Sequence, residues 1–549
     1  MGNIPNNKEG LWGISPIYIY MNKSRKLKSR KLKSRKLKSH KFKKRNNKTR
    51  KIKTRKYNKR KSGGDIMYYP TSYGKEHFDS KQLGKNMICS DDNNVCLAFG
   101  DLSDKVTASF NGFVDFNYAR KYIKRIGAPS ENGFVFEIEN ASREYTAYSI
   151  LKSARESTSD NLMYEYVVGQ YINKLNKLYP CFLETYGLFK YKTDHQWESF
   201  LGKKVNSEKK IEGSNVLKDA LVPQPIDYAS GCKNSKHLAI LIQHLPKPES
   251  LEELSMNTSF IKNELIYALF QLYIPLAKLM NNFTHYDLHL GNVLLYEPVK
   301  DKYIEYHYHF TPTIENMATK ATVTKPTVTK PTVTQGKSRT TRTAHMASMA
   351  LETISFKSSY LLKIIDYGRS YFFDDERNNS LQVYNDICET NACDKVVSSG
   401  TIDCGASYGL SWLEDDSKAP ADSHFISSQH KNISHDLLPL DRIYKNNTGK
   451  NAQKLPADLF SLMKKVMYED SYGTYHAETA VMTEFPEEIN NVQDAAIVIA
   501  DFVKSPEYIR HNNAVYRNEG DKLGDLHIWM DGSRPMEFKG AAAARSASP

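Results

Sequence analysis

A short polar run, His285-Tyr-Asp287-Leu-His289-Leu-Gly291-Asn292, most limits what this chain can fold into, because it is set between two apolar elements. Behind it, residues 260–280 repeat apolar side chains at helical spacing. Ahead of it, Val293-Leu-Leu reads as a strand. Further on, Tyr360-Leu-Leu-Lys-Ile-Ile-Asp366-Tyr-Gly368 places an Asp and a Gly at the end of a second apolar strand. The fold must therefore bring carboxylates, imidazoles and an amide to the ends of buried elements.

The region upstream reads as alternating strands and helices. Gly133-Phe-Val-Phe-Glu-Ile and Tyr145-Thr-Ala-Tyr-Ser-Ile-Leu are β-rich runs separated by turn residues. Residues 159–178 set Met163, Val167, Tyr171, Leu175 and Leu178 at helical spacing behind a Ser or Asp cap. Residues 237–245 form a buried-strand run that Pro246 stops.

The net charge of +15 is not spread along the chain. Residues 23–61 hold 23 of the 77 Lys and Arg residues and no Asp or Glu, so the remainder is mildly acidic. This run contains the repeat SRKLK SRKLK SRKLK SHKFK, whose period of five matches neither helix nor strand, so residues 1–64 read as a disordered basic tail. Such a tail suits non-specific contact with nucleic acid or an anionic membrane. Residues 314–348, with the repeat ATVTK PTVTK PTVTQ, read as a linker-like insert within a domain. Residues 374–434 read as irregular, and 531–549 as a flexible tail. The seven scattered cysteines read as free thiols in a reducing compartment, and the spacing of Cys388, Cys393 and Cys404 matches no zinc knuckle. The apolar run 11–21 is too short to span a bilayer, so the expectation is a soluble intracellular protein.

With these residues in view, the chain resembles the protein kinase-like superfamily, whose catalytic loop H-R-D-L-x-x-x-N and metal-binding D-F-G occur in this order. The resemblance implies an α+β, two-lobed fold. A strand-rich lobe would cover 100–245 and a helical lobe 246–530, with ATP between them. It also implies an Mg-ATP-dependent phosphotransferase, with Asp287 orienting the attacking hydroxyl and Asn292 and Asp366 as Mg²⁺ ligands. His285 becomes a scaffold residue. Lys152 at a strand end and Glu165 on the next helix match the pair that holds the α and β phosphates. Ile126-Gly127-Ala-Pro-Ser130-Glu-Asn-Gly133-Phe-Val135 is similar to a phosphate-covering loop, though Pro129 stands at the middle glycine. Gln243 and Leu245, in Ile240-Leu-Ile242-Gln243-His244-Leu245-Pro246, match the hinge that meets adenine. Asp436 matches the helix Asp that braces the catalytic loop.

Two departures bear on the acceptor. Tyr286 replaces the Arg that awaits an activation-loop phosphate, and His289 replaces the Lys that steadies the γ-phosphate. The run H-x-D-L-H-x-G-N is also similar to loops of small-molecule phosphotransferases. The resemblance therefore implies a Ser/Thr protein kinase-like activity first. A small-molecule phosphotransferase and an inactive pseudokinase scaffold stand as alternatives. The inserts, the Lys/Asn/Tyr-rich usage and the tandem repeats resemble kinase-like proteins of giant DNA viruses, which implies host cytoplasm, nucleus or virion as location.

Overall fold

A computed structural model of the chain describes residues 64–70, 87–89, 96–126, 133–155, 161–202, 211–212, 214–310, 353–389, 404, 411–412, 426–448, 455–468 and 488–541. The chain divides into two units, residues 1–59 and 60–549. The first unit and the insert at 314–348 lie outside the described residues. The second unit is α+β. No helix among the described residues is long and apolar enough to cross a membrane.

Ten strands form its largest sheet: β1 (Asp65–Pro70), β2 (Met87–Cys89), β3 (Cys96–Phe99), β4 (Ala119–Ile126), β5 (Gly133–Ala141), β6 (Tyr145–Ala154), β7 (Thr185–Tyr191), β8 (Ile211–Glu212), β9 (Leu221–Pro223) and β10 (Leu238–Gln243). Side chains alternate across a strand, so one strand can feed two cores. On β10, Leu238 and Ile240 join one core while Ala239 and Leu241 join the other. The first core is built with helix α2 (Leu162–Leu175), which follows α1 (Gly100–Ser109) in the chain. The second is closed by Phe110, Phe113, Phe116, Trp197 and Phe200. Asn161 caps α2 by accepting a hydrogen bond from the Met163 N–H at 2.9 Å, in place of the Ser or Asp the spacing suggests.

The sheet begins well before residue 100, the boundary read from the sequence. One edge of β6 pairs along its length with β5, and the other is divided between β1, at Tyr145–Ala147, and β10, at Ser149–Ser153. Without β1 the start of β6 would be an open edge.

In the remainder of the unit, β11 (Glu249–Ser250), β13 (Val293–Tyr296) and β16 (Leu361–Ile364) form a small sheet, and β12 (Phe283–Thr284) pairs with β17 (Tyr371–Asp375), which pairs with β18 (Asn378–Asn379). A four-stranded sheet runs β15 (Thr353–Ser358), β14 (Tyr303–His309), β21 (Lys522–Trp529), β22 (Glu537–Gly540), with β14 and β21 parallel. Residues 311–352 therefore join two paired antiparallel strands. The apolar repeat at 260–280 is divided in two: Thr258–Asn263 is one short helix and α3 (Leu265–Leu279) another. Glu264 breaks it, leaving helical geometry (φ −123°) with its carboxylate accepting a hydrogen bond from Ser358 Oγ at 2.7 Å.

Three further readings from the sequence are corrected. The stretch 374–434 contains the helix α4 (Ser380–Glu389), and within it Ser411–Trp412 (β19) pairs with Ile426–Ser427 (β20). β22 lies inside the expected flexible tail, because Met536 and Phe538 are buried and its backbone completes the edge of β21. Four of the cysteines are not free thiols: Cys388 is bonded to Cys404, and Cys96 and Cys232 are also in disulfides. Cys181 is free and buried.

Candidate functional site

On β6 the alternation turns Leu151 and Ser153 into the buried face and leaves Lys152 on the other, between Val135 of β5 and Ile240 of β10. Glu165 comes from the first turn of α2, where the helix dipole favours a carboxylate. The Lys152 ammonium donates to both Glu165 oxygens, at 3.0 and 2.8 Å, and to Asp366 Oδ1 at 2.8 Å. Burial would lower the Lys152 pKa, but Asp366 and Glu165 outweigh it and hold the pKa above the ordinary value. Burial likewise opposes ionisation of Asp366, yet Lys152 keeps its carboxyl below the usual range. Asp366 follows directly on the strand β16 and its neighbour Ile365, in the left-handed region (φ 66°), a conformation of measurable cost for a residue with a Cβ.

The polar run is held from beneath. Asp436, in the turn His435–Leu437 that leads into α5 (Leu438–Asn446), accepts from the backbone N–H groups of His285 at 2.8 Å and Tyr286 at 3.2 Å. These two bonds fix Tyr286 at φ 62°. The Tyr286 ring is buried and its hydroxyl donates to the His430 carbonyl at 2.9 Å, so the side chain is a packed anchor. Burial pushes the Asp436 carboxyl up to about 7, against the pull of those hydrogen bonds.

His285 joins the two loops. Its Nε2 meets the Ile365 carbonyl at 2.9 Å, and a carbonyl only accepts, so Nε2 carries the proton and Nδ1 accepts from the Asp287 N–H at 3.3 Å. Burial depresses its pKa to about 4, which keeps this neutral tautomer. Asn292 closes the loop on itself, donating from Nδ2 to the Asp287 carbonyl at 2.8 Å, and its own carbonyl receives the Ile365 N–H at 3.0 Å. Arg369 Nε lies 3.9 Å from Asp287 Oδ2, each side chain about one-sixth exposed (17% and 17%). At Gly291 a Cβ would come within 2.9 Å of the His289 ring, so a larger residue there would require that ring to move.

Lys152, Glu165, Asp287, Asn292 and Asp366 thus converge from β6, α2, the 285–292 loop and the end of β16. Gly127 and Ser130 lie outside the described residues. Gly133 opens β5 against Ala154, where a Cβ would stand 2.6 Å from the Ser153 carbonyl oxygen; close strand approach alone requires glycine. Val135 pairs with Lys152. Gln243 is bonded within the protein. Its side chain donates to the Asp65 carbonyl at 2.6 Å and accepts from the Glu184 N–H at 3.2 Å, while its own N–H goes to the Glu184 carbonyl at 2.9 Å. A buried amide must satisfy its donors and acceptor, and here the protein itself does so. Leu245 is buried in the first core.

Asn292 and Asp366 fit a Mg²⁺ ion. Asn292 commits its nitrogen to Asp287 while its oxygen takes no hydrogen bond among the described residues, and Asp366 uses Oδ1 for Lys152; hard oxygen donors of this kind suit Mg²⁺. Arg369 escaped the sequence reading, although it directly follows Gly368. Lys363, in the middle of Leu-Leu-Lys-Ile-Ile, was a signal of its own: a lysine in a buried strand needs a buried counter-charge.

A second cluster, Glu305, His307 and Asp525 on β14 and β21, brings ligand atoms within 4.8 Å of one another. Lys522 already bridges Glu305 at 2.5 Å and Asp525 at 2.9 Å, and His307 Nε2 meets Asp525 at 2.8 Å, so the carboxylates there are occupied by the protein's own cation.

Comparison with protein-family models and with curated proteins finds no match for this chain.

Proposed function

We propose that this protein is an ATP-dependent phosphotransferase with a two-lobed, protein kinase-like architecture, acting on a hydroxyl acceptor, in the first place a Ser or Thr side chain. One observation carries the reading: a single ammonium, Lys152, bonds Glu165 and Asp366 together, 13 and 214 residues away. Two carboxylates against one ammonium leave negative charge in excess, which suits a divalent cation, while the ammonium itself suits the polyphosphate.

In this reading Lys152 meets the α and β phosphates and Glu165 keeps it oriented. Asn292 and Asp366 would hold Mg²⁺, which compensates charge on the triphosphate. Asp287 orients the acceptor hydroxyl and takes its proton as the oxygen bonds to the γ-phosphorus and the bond to the ADP oxygen breaks. Arg369, beside Asp287, supplies a positive charge near the transferred group, where His289 stands in place of a lysine.

Incubation with γ-labelled ATP and Mg²⁺ against a panel of proteins and small hydroxyl compounds tests this. Label on a protein Ser or Thr is the expected result, and label on a small hydroxyl compound would move the acceptor assignment. Absence of both transfer and Mg²⁺-dependent ATP binding would overturn the reading.

A further inference from the structure

A buried ion pair lies behind the site, between Lys363 of the strand that leads to Asp366 and Asp65 of β1. The Lys363 ammonium is ion-paired with Asp65, their side chains 0% and 1% exposed, and it also donates to the Phe182 carbonyl at 3.0 Å. The other Asp65 oxygen accepts from the Tyr296 hydroxyl at 2.8 Å. Its backbone carbonyl receives the Gln243 side chain at 2.6 Å. One residue therefore touches three strands, β16, β13 and β10.

Two of these strands carry the candidate metal ligands. Tyr296 ends β13, the strand entered directly from Asn292, and Lys363 lies three residues ahead of Asp366. β13 and β16 are paired with each other from Val293–Ile364 to Tyr296–Leu361, so their relative register sets where Asn292 and Asp366 stand. A buried ion pair is a poor source of stability, since desolvation offsets most of the attraction. It does impose a fixed geometry, because neither charge tolerates separation from its partner.

We propose that Asp65 is a positioning residue for the site, a clamp that fixes the strand carrying Asp366 and the strand following Asn292 in one register. The inference rests on the phosphotransfer reading for the identity of those ligands, but not for the clamp itself. Asp65 acts through Lys363 and Tyr296 and touches no substrate.

Two variants test it. Asp65→Asn alone strands a buried ammonium, so the pair is removed together as D65N/K363M, which keeps an acceptor for Tyr296. Tyr296→Phe cuts only the link to β13. The Mg²⁺ concentration that supports ATP binding should rise about 10-fold in the double variant and about 3-fold in Y296F, as for other groups that orient metal ligands, with metal-free ATP affinity unchanged. Backbone amide exchange should quicken in 293–296 and 361–364 relative to 185–191. Wild-type Mg²⁺ dependence together with wild-type exchange in both variants would overturn the clamp, even if melting temperature changed. If the wild-type protein bound no ATP with Mg²⁺, the phosphotransfer reading would fail, and amide exchange would still decide on the clamp.

Discussion

Lys152 and Lys363 both sit on strands, both pair with carboxylates, and have opposite electrostatics. At Lys152 one ammonium is shared by Glu165 and Asp366, with side chains 18%, 4% and 28% exposed, so negative charge is in excess and solvent can reach it. At Lys363 one ammonium meets one carboxylate in a fully buried place. The difference separates a site from a strut. Unbalanced charge at an accessible edge leaves room for a ligand of complementary charge, whereas a balanced pair without access has its final partners already.

The largest effect is expected at Asp366. Replacement by Asn should lower phosphotransfer by about 10³-fold or more while leaving the melting temperature within a few degrees, because Lys152 retains Glu165. Turnover near the wild-type level, measured with labelled ATP, would remove Asp366 from the chemistry and erase the contrast.

The next largest effect belongs to the closed pair. Lys363→Met leaves Asp65 buried without its counter-charge and should cost about 3–5 kcal/mol in denaturant unfolding. A cost below about 1 kcal/mol would mean that water or rearrangement reaches Asp65, and that the strut is not closed.

Arg369 lies on the accessible side, next to Asp287. Arg369→Gln should lower kcat about 10-fold with KM for ATP within about twofold, since its charge lies beside Asp287 rather than beside Lys152. A change confined to KM would assign it to nucleotide binding.

The smallest effect tests the limiting case, a buried carboxyl with no lysine at all. Burial pushes Glu264 up from 4.5 to about 8, with Ser358 opposing, so the folded state favours the protonated acid. Its contribution is then complete below about pH 4.5 and is lost as pH rises through about 8. The non-titrating Glu264→Gln should therefore gain on the wild type by about 1 kcal/mol or more between about pH 5 and about pH 8.5 in paired thermal melts. A constant difference over that range would show that Glu264 ionises as an ordinary carboxyl.

Much of the candidate site is legible along the chain. Lys152, Glu165, Asp287, Asn292 and Asp366 stand at the ends or turns of elements whose apolar period is itself readable, and Asp436 can be found from the same pattern. The break at Glu264 is hidden, since the apolar spacing runs through it and only the distant Ser358 explains why a helix should stop there. Arg369 is visible as a residue but not as a neighbour of Asp287.

The local elements and the order of the charged groups on them follow from the chain alone, because helix and strand periods and loop chemistry act over a few residues. The pairings come from the folded chain: Asp65 with Lys363 across 298 residues, β1 on the edge of β6, and β22 in what reads as a loose tail. Such contacts depend on which surfaces meet after long loops close, and no periodicity along the chain records that distance.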